Sequence, residues 1–135
     1  MRTKLGNLEE YLRGLAEKQD CTETEYLGDR DLRDIVEGRF EKAIQASLDI
    51  AAHIVAPEGF REPRDYGDLF GILEREEVLS STVADRMIEM AGFRNVPAHE
   101  YASIDDERVY AHLQDLERFR TYAHEIDAFV ASSED

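Results

Sequence analysis

Cysteine occurs once in this chain, as Cys21, so no intrachain disulfide can form. A single thiol excludes a stapled secreted scaffold and points to a reducing cytoplasm. Long hydrophobic runs are missing too. Nothing approaches the ~20 apolar residues of a membrane span, and the opening MRTKLGNLEE has no apolar stretch of the kind a signal peptide needs. Lysine is scarce: Lys4, Lys18 and Lys42 are the whole set, and the other thirteen of the 16 basic residues are arginines. Proline is confined to Pro57, Pro63 and Pro97. The sequence contains no Walker loop, dinucleotide fingerprint, zinc-binding Cys/His spacing or nucleophile elbow, so neither cofactor nor metal is expected. Alternating apolar and polar stretches, the mark of half-buried strands, are nearly absent as well.

What is present is acid and helical periodicity. The 135 residues are 42% hydrophobic, which suits one globular domain spanning residues 1–135, expected in the cytoplasm. Asp and Glu number 31 against 16 Lys and Arg, a formal charge of −15. Such a surface repels nucleic-acid phosphates unless salt screens it or a local basic patch overrides it. Abundant carboxylates with few lysines suggest adaptation to high salt, a halophilic host, where the Debye length shrinks to ~3 Å.

The spacing predicts an all-α, up-and-down bundle of about five helices. Leu5, Leu8, Leu12 and Leu15 step by three, four and three along a first amphipathic helix. A long second helix should begin between Thr24 and Asp31 and run to about Ala56. Its apolar set is Leu32, Ile35, Val36, Phe40, Ala43, Ile44, Leu48, Ala51, Ile54 and Val55. Residues 57–63, with two prolines, read as a loop. Asp65 can cap a short third helix carrying Tyr66, Leu69, Phe70 and Leu73, and Ser80 or Ser81 a fourth carrying Val83, Ala84, Met87, Ile88 and Ala91. Ser103 followed by Asp106 resembles a capping box for a fifth helix running unbroken through Val109, Leu113, Leu116, Phe119, Ala123, Ile126 and Val130. Residues 132–135 should fray. Asp49 and His53, at i,i+4, suit a hydrogen bond on one helix face better than a metal site, which two ligands do not make. His112 and His124 are expected on the solvated side of the last helix.

Polar chemistry concentrates in Gly92-Phe93-Arg94-Asn95-Val96-Pro97-Ala98-His99-Glu100-Tyr101. On an ideal helix Arg94 and His99 would point about 140° apart, whereas Arg94 and Tyr101 would lie about 20° apart. Pro97 offers no N–H to the Phe93 carbonyl, so a helix should kink or break there, and a bend can turn Arg94 and His99 toward a common cleft. The bland alternative is a surface arginine and a core histidine.

Arg94-x4-His99 with Asn95 behind the arginine, extended to His99-Glu100-Tyr101, resembles the Arg-x4–6-His motif of the HEPN superfamily. Within it, the sequence is most similar to the HepT-type toxins encoded beside minimal nucleotidyltransferase antitoxins. Residues 39–54, Met90-Ala91-Gly92-Phe93-Arg94-Asn95 and Ile104-Asp105-Asp106-Glu107-Arg108-Val109-Tyr110 resemble strings of the same family, and the likeness runs over roughly residues 5 to 131. Pro97 stands inside the motif where family members more usually carry an aliphatic residue. The resemblance implies a metal-independent endoribonuclease toxin, working as a homodimer on RNA and leaving a 2′,3′-cyclic phosphate. Arg94 would grip the phosphate, His99 would serve as general base or acid, and Asn95 would orient His99 or the scissile phosphate. Tyr101 would accept AMP from a cognate nucleotidyltransferase antitoxin, which silences the toxin and can form a hetero-oligomer with it. The alternative within the superfamily is a noncatalytic module that holds a nucleotide or docks the nucleotidyltransferase.

Overall fold

The computed structural model describes residues 1–58, 66–94 and 105–133, and of residues 57, 58, 66, 93, 94 and 133 the backbone alone. The described chain is seven helices with no strand: α1 (Arg2–Ala16), α2 (Glu23–Gly28), α3 (Arg30–Glu58), α4 (Tyr66–Arg75), α5 (Ser81–Arg94), α6 (Asp106–Leu113) and α7 (Glu117–Ser133). The 29 residues of α3 make a spine about 43 Å long. Helix α1 lies along it, α4 pairs with α5, and α5 packs on α7. No helix among the described residues is long and apolar enough to cross a membrane.

The all-α bundle is the expected one, and the count of seven instead of five comes from local capping. Thr22 Oγ1 accepts from the Glu25 N–H at 3.1 Å, and the Glu25 carboxylate accepts from the Thr22 N–H at 2.9 Å. This capping box starts α2 before the long helix. Asp29 then adopts an extended conformation, φ −120°, and its carboxylate accepts from the Leu32 N–H to start α3. The predicted fifth helix is two, because Gln114, Asp115 and Leu116 interrupt it. The orphaned carbonyl of Leu113 accepts from the Gln19 side chain at 2.8 Å, while the Gln114 side chain donates back to the Gln19 carbonyl at 2.9 Å. Helix α6 is capped by Asp105, whose carboxylate accepts from the Arg108 N–H; Ser103 of the expected box lies outside the described residues. Of the two candidate serines for α5, Ser80 makes the cap, accepting from the Val83 N–H at 3.3 Å. Asp65 lies outside the described residues. The predicted 57–63 loop loses Pro57 and Glu58 to the last turn of α3, and the predicted frayed tail loses Ser132 and Ser133 to α7.

Leu8, Leu12 and Leu15 of α1 are buried, as are Val36, Phe40, Ala43, Ile44, Leu48, Ala51, Ile54 and Val55 of α3. Burying each large aliphatic side chain contributes about 1.5–3 kcal/mol before entropy is counted. Two predicted core positions are corrected: Ile35 and Ile88 are each 40% exposed, and Tyr122 and Ile50 are fully buried in addition to the set. Tyr122 meets Phe70 edge-on at 5.5 Å, and its hydroxyl donates to the Ser47 carbonyl at 2.7 Å. That one side chain therefore ties α7 to both α3 and α4.

Candidate functional site

Val83, Ala84, Met87, Met90 and Ala91 form the buried face of α5. That face fixes the helix against its neighbours and carries Arg94 to its last position. Asn95, Pro97, His99 and Tyr101 lie outside the described residues, as does the side chain of Arg94. What the structure defines is the frame on either side of them: the end of α5 before residue 95 and the start of α6 after residue 104.

Glu89 of α5 is the centre of that frame. Its Oε1 accepts from Arg108 of α6 at 2.9 Å, and its Oε2 accepts from Arg118 of α7 at 3.0 Å. The Nε2 of His112 lies 3.6 Å from Oε1. The hydrogen bond and charge of Arg118, joined by Arg108 and His112, hold the Glu89 carboxyl below the usual carboxylate range. Burial, with the Arg118 and Arg108 charges added, pulls the His112 imidazole below its ordinary value despite the nearby Glu89. His112 is only 8% exposed. This corrects the expectation that it is solvated: the break at residues 114–116 leaves it facing α5. His124 is exposed as expected.

The other side of α6 meets α3. Asp106 lies 3.6 Å from the Arg33 guanidinium. Desolvation, a hydrogen bond with Asp106 and the charges of Asp106 and Asp34 push the Glu37 carboxyl up to about 7, with Arg33 opposing. The Tyr110 hydroxyl donates to the Cys21 carbonyl at 2.9 Å, and the Tyr110 and Tyr26 rings lie 5.7 Å apart. Burial raises the phenol pKa of Tyr26 far above its ordinary value.

Elsewhere, Asp49 is exposed and accepts from Gln45 at 2.8 Å, so it makes the helix-face hydrogen bond with Gln45 and not with His53. Among the described residues no three His, Cys, Asp or Glu side chains gather closely enough to hold a metal ion. Sequence reasoning missed Glu89, Arg108 and Arg118, which are spread over three helices with no shared spacing. The only available signal was the family-like string containing Arg108.

Residues 2–126 match the model of the family described as "Ribonuclease HepT-like". The chain is 27% identical over 100 residues, covering 71% of it and 75% of the relative, to the mRNA nuclease HepT of Shewanella oneidensis. It is 23% identical over 138 residues, covering 100% of it and 92% of the relative, to the tRNA nuclease HepT of Aphanizomenon flos-aquae. Among solved structures, its fold is similar to a tri-AMPylated Shewanella oneidensis HEPN toxin in complex with an MNT antitoxin. The TM-score there is 0.85 at 23% identity, over 93% of this chain and 95% of that one. A toxin–antitoxin structure with AMP-PNP gives a TM-score of 0.86 at 22% identity, over 93% and 96% of the two chains.

Proposed function

The chain belongs to the HepT-like ribonuclease family, and from that premise we propose that it is the ribonuclease toxin of a toxin–antitoxin pair, cutting RNA at Arg94 and His99. The observation that carries this reading is the family match across residues 2–126, with Arg94 ending α5 and Asn95, His99 and Tyr101 following it in the family's order. The naming of two relatives as mRNA and tRNA nucleases supports RNA as the substrate.

RNA carries its own nucleophile. The 2′-oxygen attacks the adjacent phosphorus, its proton passes to an imidazole, and the 5′-oxygen leaves with a proton from an acid. The products are a 2′,3′-cyclic phosphate and a 5′-hydroxyl, and no metal is required. An imidazole side chain can donate or accept a proton near neutral pH, so histidine at position 99 suits either transfer. A homodimer brings a second copy of His99 to the same cleft, which answers the need for both an acid and a base. Arg94 is permanently charged and fork-shaped, suited to two phosphate oxygens. Asn95 orients His99 or the scissile phosphate.

Tyr101 is the control point. The AMPylated state of the solved HEPN toxin, and its MNT antitoxin partner, support a cognate nucleotidyltransferase that adds AMP to Tyr101. The added phosphate pairs with Arg94 and occupies the substrate's anion site.

Purified protein incubated with RNA in EDTA tests both parts. Arg94→Ala and His99→Ala should each lower cleavage by on the order of 10²–10⁴ while retaining helicity. Tyr101→Phe should cut normally yet resist silencing by the nucleotidyltransferase and ATP, with no AMP-sized mass gain. Undiminished cleavage by the first two variants overturns the catalytic assignment, and metal dependence of the wild type overturns the mechanism. RNA binding or nucleotidyltransferase docking without any cutting returns the noncatalytic module. AMP on Tyr110 or Tyr122 moves the control point.

A further inference from the structure

Residues 95–104 carry Asn95, His99 and Tyr101, and they are strung between two helix ends. The relative placement of those ends decides where the motif's side chains can meet Arg94. Helix α6 is held to the far side of the bundle by Tyr110 on the Cys21 carbonyl, Gln19 on the Leu113 carbonyl and Arg33 beside Asp106. Those contacts fix α6 against α2, α3 and the link between α1 and α2. None of them reaches α5.

Glu89 makes that connection. Its two carboxylate oxygens divide between Arg108 of α6, at 2.9 Å, and Arg118 of α7, at 3.0 Å, and His112 of α6 closes against Oε1 at 3.6 Å. The three partners come from positions 108, 112 and 118, all beyond the motif, while Glu89 stands five residues before Arg94. That is about 7.5 Å along the α5 axis. The Arg118 side chain is 20% exposed and that of His112 9%, so the inner half of the cluster is sheltered from water, where a charged hydrogen bond holds its geometry better than on an open surface.

We propose that Glu89 is a positioning residue for RNA cleavage by Arg94 and His99, clamping α6 and α7 to α5 so that the helix ends flanking residues 95–104 keep one relative placement. The proposal rests on the nuclease reading above. Glu89 touches no substrate; it acts through the helix ends, and a misplacement of about 1 Å at a reacting pair can cost up to ~10²-fold in rate.

Single-turnover cleavage of a short RNA at varied, excess enzyme tests it, because the rate constant at saturation reports each active molecule, while circular dichroism reports the fraction folded. Glu89→Gln keeps size and helix preference but removes the charge, and it should lower the saturating rate constant about tenfold with the half-saturating enzyme concentration within about twofold. Arg108→Gln removes the same hydrogen bond from α6. Arg108 is 56% exposed, so folding should survive and the rate constant should fall similarly. The Glu89→Gln, Arg108→Gln double variant should cost no more than either single change. Glu89→Asp retains the carboxylate on a shorter arm and should recover part of the rate. A merely structural Glu89 would lower the folded fraction and leave the saturating rate constant alone, and that result overturns the proposal. Additive losses in the double variant also overturn it. A wild type that cuts no RNA overturns the nuclease reading and the positioning role together, whereas a cutting wild type matched by Glu89→Gln overturns the positioning role alone.

Discussion

Glu37 shows how one side chain sets a pH dependence. Its carboxyl faces Asp106 and Asp34, with Arg33 as the opposing cation, and is pushed from 4.5 up to about 7. Between those values the folded chain holds a proton that the unfolded chain has released. Stability contributed by this group is therefore present below about pH 4.5 and falls as pH rises toward 7. Glu25 and Glu89 act in the opposite sense: their carboxyls are depressed by hydrogen bonds, so their contribution is lost in acid. Glu37→Gln should leave stability unchanged near pH 4 and raise it at pH 8, by about 1 kcal/mol after solvent screening. Urea melts across that range would show the two curves diverging, and parallel curves would remove Glu37 as the cause.

At the scale of elements, the end of α4 carries the one positive φ among the described non-glycine residues, Glu77 at 60°. The turn returns the chain so that the Val78 N–H reaches the Leu73 carbonyl at 2.8 Å, and Val78 and Leu79 enter the core. A left-handed residue at this place is ordinarily glycine, which meets no Cβ penalty. Glu77→Gly should therefore stabilise the protein by about 0.5–1 kcal/mol, net of the extra freedom glycine gives the unfolded chain. Thermal melts of the two proteins check this, and an unchanged or lower melting temperature means the turn carries no strain. The same reasoning explains which helix boundaries were readable. The α2 start is written locally, as the Thr22-x-x-Glu25 box that forms there, yet it went unread because the long helix was expected to begin between Thr24 and Asp31. The α6 end is not written locally, because the group that satisfies the Leu113 carbonyl is Gln19, distant in the chain.

At the scale of the whole molecule, charge dominates. A net −15 on 135 residues repels itself at low ionic strength, and the exposed part of that repulsion is screened as salt rises. The melting temperature should rise as KCl increases from 0.1 M toward 2 M, with most of the gain in the first molar, where the Debye length falls from about 10 Å to about 3 Å. Indifference to salt would remove the high-salt adaptation. The proposed RNA substrate would meet the same field, so its association should also be helped by salt at first, the reverse of the usual behaviour of basic nucleases.

The heptad-like spacing of leucines and the recurrent apolar stripes determined, without any coordinates, that this chain is a helical bundle, because a helix needs only its own residues to declare which face is oily. The string from Arg94 to Tyr101 is a reading of residue types and spacing alone, and Asn95 to Tyr101 lie outside the described residues. Tertiary structure decided what spacing cannot encode. His112 was read as solvated from its place on a continuous helix, and the interruption at residues 114–116 buried it beside Glu89. Ile35 and Ile88 sit on apolar stripes yet remain exposed, since none of the described helices covers them. Glu89, Arg108 and Arg118 belong to three different helices, and only the packing of those helices turns three surface-like charges into one clamp. Periodicity reports the face of one element; the meeting of faces is a property of the packed whole.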